Sequence, residues 1–279
     1  MPTIPFLKKK QKTEVPPFHN PLTDEEPYIW RYLPRYELMV MGEMLRWQDQ
    51  MKKAPSLVNR LSKGMQHRIN RIIPEKVHTA VTLAIKQMVR SIIFGSEFTS
   101  KPPLKGVSLE QREKLVMQKI DLYIKLAATE GGVTGAGGFL MSLADFPLFL
   151  GLKMKMLYEI AALYGYDVRD YRERLYMLRI FQLAFSSQQQ RNEVFAQIEH
   201  WEDYSQHLPY DINSFDWRTF QLEYRDYLDL VKLAQMIPGI GAAVGLVVNY
   251  RLTRHLGKTA INAYRMRRAN RKKAEGSEL

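Results

Sequence analysis

Apolar residues recur along this chain with the period of an α-helix. Val40, Met44, Trp47 and Met51 are spaced four, three and four apart, which places them on one stripe of an amphipathic helix and predicts a core-facing side. Pro27 and Pro34 interrupt any earlier helix. Pro74 occupies the place of a first helical residue and opens a predicted helix through about Phe94, closed by Gly95 and Pro102. Ser108 followed by Gln111 forms a capping box, predicting a helix that ends near Glu130, where Gly131 and Gly132 follow. Gly165 is read as a stop and Asp167 as the cap of a helix reaching about Phe185. Ser187 with Gln190, and Ser214 before Phe215, mark further starts. No run alternates apolar and polar residues between turn signals, and the Asn-Gly and Asp-Gly pairs of tight hairpins are absent. The pattern therefore predicts an all-α chain of about eight to ten helices without an internal linker.

Two stretches depart from this alternation by being almost free of charge. Residues 131–152 carry only Asp145, and residues 233–250 carry no charged side chain. In the first, Gly131, Gly135, Gly138, Ser142 and Asp145 fall on one face of a helix, opposite Val133, Phe139, Leu140 and Leu143. A face of small residues allows close approach of a second helix. Pro147 would break or kink that helix beside Asp145. In the second, Pro238 breaks the helix, and Gly241, Gly245 and Asn249 repeat at intervals of four, a plausible mate for the first stripe.

Both stretches approach the length of a membrane span, about 20 residues. The transfer balance is marginal, since an aspartate at mid-helix costs about 2.5–3.5 kcal/mol while each Leu or Ile returns about 0.3–0.6. A transmembrane pair, a soluble core hairpin and conditional insertion all remain consistent with the sequence.

The segment after the second stretch is one-signed. From Arg251 to Lys273 there are basic residues and no acid, with Arg251, Arg254, Lys258, Arg265, Arg268 and Lys272 on one helical face and Leu252, Leu256, Ala260 and Ala263 on another. A basic face beside an apolar one suits a helix lying on an anionic leaflet, and those cations are candidate lipid contacts. A solvated face of a terminal helix would look the same.

Composition sets the surroundings of these elements. The 279 residues are 46% hydrophobic and 25% charged, enough for a sizeable core, with a net charge of +12 that draws polyanions. There is no cysteine, which excludes disulfides, thiolate metal sites and cysteine nucleophiles. Residues 1–22, rich in Pro and Lys, read as a disordered basic arm; residues 23–273 read as one all-α domain, and 274–279 as a disordered tail. The arm has no apolar core of a secretory signal, so a cytoplasmic location is expected.

Motifs for chemistry are weak. Gly257-Lys258-Thr259 spells the end of a phosphate-binding loop, but Leu252 stands where the motif requires glycine. Gly239, Gly241 and Gly245 approach a dinucleotide fingerprint without a preceding strand or a following acid. Glu75 and His78 form a single Glu-x-x-His pair, and His200, Asp203 and His207 share a helix face that is more simply a polar surface. No catalytic residue, metal site or cofactor is assigned. Asp145 is the most notable titratable group, either as an acid held in apolar surroundings, with Ser142 and Asn249 as polar companions, or as the cap of a helix that Pro147 opens. No nucleic-acid module is recognised, so nucleic acid is not expected as a partner.

Several segments together resemble the EcsC family of bacterial proteins: Ile73-Pro74-Glu75-Lys76-Val77; the run from Glu130-Gly131-Gly132 through Gly138 to Ala144-Asp145-Phe146-Pro147; Tyr164-Gly165-Tyr166-Asp167; and Ile237-Pro238-Gly239-Ile240-Gly241-Ala242 with Asn249-Tyr250. The family takes its name from a gene beside those of an ABC transporter, and its biochemical role is not established. The resemblance implies a bacterial origin and a link to envelope transport, and supplies no catalytic residues. Together these readings lead to the expectation of a non-enzymatic protein at the cytoplasmic membrane face, accessory to a membrane partner such as a transporter. The alternative is a soluble helical enzyme or ligand-binding protein with a pocket near Asp145.

Overall fold

The computed structural model of the chain describes residues 34–53, 75–94, 102–134, 146–186, 190–209, 211–214, 216 and 242–277. They form α1 (Arg35–Lys52), α2 (Glu75–Phe94), α3 (Leu109–Thr134), α4 (Phe146–Leu163), α5 (Tyr171–Phe185), α6 (Arg191–Glu199), α7 (Trp201–Gln206), a 3-10 turn (Ile212–Ser214) and α8 (Ala242–Ser277). The fold is all-α, as the sequence pattern predicts, with no strand among the described residues.

Local signals set most of the boundaries. α1 begins directly after Pro34, and its stripe Val40, Met44, Trp47 and Met51 is buried throughout. The capping box at α3 is formed: the Ser108 hydroxyl accepts from the Gln111 amide at 3.2 Å, and the Gln111 side chain accepts from the Ser108 amide at 3.3 Å. α3 runs past its predicted end at Glu130, through Gly131 and Gly132 to Thr134. Two glycines cost a helix about 1 kcal/mol each, a cost that does not stop one already extended over six turns. Gly165 ends α4 as predicted, with a φ of 91° that favours glycine. There the Tyr166 amide donates to the Ala161 carbonyl and the Gly165 amide to the Ala162 carbonyl, both at 3.0 Å, a six-to-one and five-to-two closure of the helix end.

The cap of α5 is Asp170 and not Asp167. The Asp170 carboxylate accepts from the Arg172 amide at 2.9 Å, while Asp167 accepts from the Arg169 amide at 3.0 Å and holds the Arg169 guanidinium within the preceding turn. Both are short acids in a turn, and only position decides: Asp170 immediately precedes the first helical residue.

α4 and α5 are the centre of the molecule. Leu150, Met154, Leu157, Ile160 and Ala161 of α4, and Leu175, Tyr176, Leu178, Phe181 and Phe185 of α5, are almost wholly removed from solvent. α2 covers one side of α4, where the Tyr158 hydroxyl donates to the Ile92 carbonyl at 3.2 Å. α3 and α8 pack against each other and close the remaining sides, α3 on α4 and α8 on both α4 and α5. α1 lies across α8 and α6, and the side chains of Arg191 and Asn192 at the start of α6 donate to the carbonyls of Lys53, the residue after α1, and of Lys52, its last residue. α8 spans 36 residues, about 54 Å at 1.5 Å per residue.

Candidate functional site

The cations of α8 divide into a buried set and an exposed set. Arg265 and Arg267 are two positions apart, so they leave the helix roughly 200° from each other. Arg265 reaches α3: its Nε and Nη2 bind the two oxygens of Glu113 at 2.8 and 2.6 Å, a bidentate pair. Glu113 is 3% exposed at its side chain and also accepts the hydroxyls of Tyr36 at 2.8 Å and Tyr164 at 3.0 Å. Those bonds use the full acceptor capacity of a carboxylate, so Glu113 is neither an available base nor an available ligand. Arg265 also meets Glu43 of α1 at 2.9 Å and so ties α1, α3 and α8 together.

Arg267 reaches the opposite way, to α5 and α7. Its Nη1 lies 2.5 Å from Glu173, and its Nε 2.6 Å from Glu202. Its guanidinium sits 4.2 Å over the Tyr166 ring and 4.7 Å over the Tyr176 ring. Tyr264 stands between the two pairs. Its hydroxyl donates to Glu173 at 2.7 Å, and its ring stacks on Tyr164 at 5.2 Å and meets Tyr176 at 5.3 Å.

Burial in this cluster acts against charge, and the pairs act for it. Burial pushes the Glu173 carboxyl up, and the Arg267 charge and the Tyr264 and Arg267 hydrogen bonds only partly offset that. For Arg265 and Arg267, burial pulls down, but Glu113 and Glu173 outweigh it and hold both guanidiniums above their ordinary range. Burial raises the Tyr164, Tyr176 and Tyr264 phenols well above their usual value, and burial with the Glu113 hydrogen bond takes Tyr36 to about 12.

Alkali should therefore unfold the protein cooperatively. A phenol whose folded pKa is raised adds stability below pH 10 that is lost as pH rises toward the folded value, because the unfolded chain ionises first. We expect tyrosinate absorbance of the buried rings to appear together with loss of helical circular dichroism. Ionisation of these tyrosines ahead of unfolding would contradict their burial.

Exposed cations occur along both halves of α8, Arg251, Arg254 and Lys258 in the first and Arg271 and Lys273 near its end. Arg251, Arg254 and Lys258 face solvent, while Arg268 and Lys272 meet Glu37 of α1 at 3.5 and 2.8 Å. The six-residue basic face of the sequence is thus split: Arg265, Arg268 and Lys272 are engaged by the protein's own acids, and Arg251, Arg254 and Lys258 point outward. The apolar face is also committed, since Leu256, Ala260 and Ala263 are fully buried against protein and Leu252 partly so. In this fold that face belongs to the core and is turned away from solvent.

Gly257 and Thr259 belong to helix packing and not to a phosphate loop, for both lie within α8, where the Thr259 hydroxyl donates to the His255 carbonyl at 2.9 Å. The His207 ring lies 2.8 Å from the Asp203 carbonyl, and no group of three ligating side chains that could hold a metal occurs among the described residues. Asp145, Ser142, Gly135, Gly138 and Gly241 lie outside the described residues; Gly131 falls in the last turn of α3, and Gly245 and Asn249 in the first turns of α8. Among the described residues no helix is long and apolar enough to cross a membrane.

The fold and cluster define an all-α protein whose long terminal helix is clamped into the core by arginine–glutamate pairs of opposite direction. Residues 39–268 match the EcsC protein family, and the chain belongs to that family. It is similar to Protein EcsC of Bacillus subtilis (strain 168), 45% identical over 230 residues that cover 82% of this chain and 94% of that protein. It is also similar to Uncharacterized protein YdbA of the same organism, 30% identical over 142 residues, 51% of this chain and 52% of that one. No solved structure matches the chain.

Proposed function

We propose that this protein attaches peripherally to the anionic cytoplasmic face of a membrane, end-on, through the pole where α3 ends and α8 begins. The observation that carries the reading is the register of those two helices. Glu113 meets Arg265, and Ile120 lies against Gly257, so the helices run antiparallel. Continued along both, that register brings Thr134, the end of α3, level with Ala242, the start of α8. The two uncharged stretches of the sequence therefore meet the described fold at one pole. Toward that pole lie the exposed side chains of Tyr250, Arg251 and Arg254 on α8 and of Leu126 on α3. Arg254 is 2.7 Å from the Tyr250 hydroxyl, a cation and an aromatic side by side as an interfacial anchor requires. Once there, the protein assists a membrane partner; the family's gene-neighbourhood link to an ABC transporter favours a transporter.

Flotation of the full chain with phosphatidylglycerol vesicles tests the attachment. Each cation near an anionic surface contributes about 1 kcal/mol, so replacing Arg251, Arg254 and Lys258 together by Gln should weaken binding by roughly two orders of magnitude. Salt should weaken the wild type similarly. Equal binding to neutral phosphatidylcholine vesicles, or binding unmoved by the triple substitution, would sink the proposal.

A further inference from the structure

At the opposite end of α8, Arg268 and Lys272 converge on a single carboxylate. Arg268 Nη2 lies 3.5 Å from one oxygen of Glu37, and Lys272 Nζ lies 2.8 Å from the other. Both cations are about one-third exposed, at 34% and 33% of their side-chain surface, whereas Glu37 is only 15% exposed. The three side chains line a groove of about 40 Å³ between α1 and α8, whose floor includes Met44, Leu109 and Arg265. A water occupies about 10–15 Å³ on this scale, so the groove takes one small group and no acyl chain.

The charge around the groove favours an anion. Arg265 is satisfied by Glu113 and Glu43, so Arg268 and Lys272 share the remaining acid of the groove, Glu37. Behind Leu109, one turn along α3, lies the buried Arg112, whose guanidinium donates to the carbonyls of Leu163 and Leu104 while its Nε has no partner. Burial, and then the charge of Arg268, hold Arg112 below its ordinary range, a sign that the two cations feel each other.

We propose that the groove is a binding site for a phosphate monoester, in which the phosphoryl oxygens take the place of the Glu37 carboxylate between Arg268 and Lys272. Glu37 then acts as a built-in stand-in: it holds the cations in position when the site is empty and swings aside when a dianion, with one charge more, competes for them. The source of the phosphate is a soluble small molecule and not a lipid headgroup. Arg268 lies 17 residues beyond Arg251, about 25 Å along the axis of α8, and so is remote from the pole assigned to the membrane. That choice of source rests on the membrane reading, whereas the site itself does not.

Thermal-shift titration of the full chain with inorganic phosphate and with glycerol phosphate, at ionic strength held constant with chloride, tests it. Both should stabilise the wild type in a saturable way. Arg268→Gln with Lys272→Gln should weaken the apparent affinity at least tenfold, and Glu37→Gln should tighten it severalfold, with circular dichroism showing each variant folded. An undiminished response in the double variant, a weaker one in Glu37→Gln, or no saturable response in either wild type or Glu37→Gln overturns the site. Phosphatidylglycerol vesicles distinguish the sources. The Arg268/Lys272 variant should float as the wild type does, and the Arg251/Arg254/Lys258 variant should bind phosphate normally. If vesicle binding instead falls only in the Arg268/Lys272 variant, the soluble source is wrong and the anion is a headgroup.

Discussion

Replacing Arg267 by Leu should lower stability by about 3–5 kcal/mol at neutral pH, the cost of removing one partner from a buried ion pair. In a chain of this size that is a fall in melting temperature of roughly 10 °C. The loss of packing is small, because leucine fills part of the space over Tyr166 and Tyr176. What dominates is the stranded acid: Glu173 is 4% exposed and would keep only the Tyr264 hydroxyl at 2.7 Å. Its carboxyl is already raised by burial with Arg267 present, and removing that charge raises it further. The sign of the pH dependence follows. A carboxyl whose folded pKa lies above its unfolded value favours the folded state as it protonates, so the variant should regain stability relative to wild type as pH falls from 7 toward 5. Glu173→Gln added to Arg267→Leu should recover part of the loss at neutral pH and abolish its pH dependence, because the amide carries no charge to strand. Urea titrations at pH 5 and pH 7 separate these outcomes. A pH-independent loss in Arg267→Leu would mean that Arg267 acts by packing alone.

This pair shows why part of the chain was legible in its sequence and part was not. The stripe Val40, Met44, Trp47 and Met51, the Ser108–Gln111 box and the Gly165 stop are set by residues within a turn or two of one another, and the structure forms all of them. The basic character of the last helix was equally plain. The partners that decide what its cations do were not: Glu113 is 152 residues from Arg265, and Glu173 is 94 from Arg267. No local spacing encodes such a pair. A helical wheel grouped Arg265, Arg268 and Lys272 with Arg251, Arg254 and Lys258, and passed over Arg267, because it sorts side chains by angle and not by what stands opposite. The one signal available was indirect. Tyr264 is an aromatic residue set among the cations of the basic helix, and a guanidinium is a favourable charged neighbour for such a ring.

Gly257→Val should cost about 3 kcal/mol, through the crossing of α3 and α8 rather than through helix propensity. A Cβ built at Gly257 would stand 2.7 Å from Cδ1, 2.8 Å from Cγ1 and 3.1 Å from Cγ2 of Ile120. Because both branches of Ile120 are close, no single rotation of that side chain clears the space, and Ile120 is itself 2% exposed with packed neighbours on every side. Either the isoleucine leaves its rotamer or the helices separate, and separation is opposed by the Glu113–Arg265 pair two turns away. Propensity alone predicts the opposite sign, since most residues make a better helix interior than glycine by up to about 1 kcal/mol. The direction of the change therefore reports which effect governs. Ile120→Ala should cost about 2–5 kcal/mol by itself, and in that background Gly257→Val should become nearly neutral, as the valine methyls occupy the cavity. A double-mutant cycle in urea measures the coupling. If Gly257→Val costs as much in the Ile120→Ala background as in the wild type, the close approach of the two helices is not what position 257 is glycine for. If the coupling appears, the register that brings Thr134 level with Ala242 is fixed in solution, and with it the common pole on which the proposed membrane attachment rests.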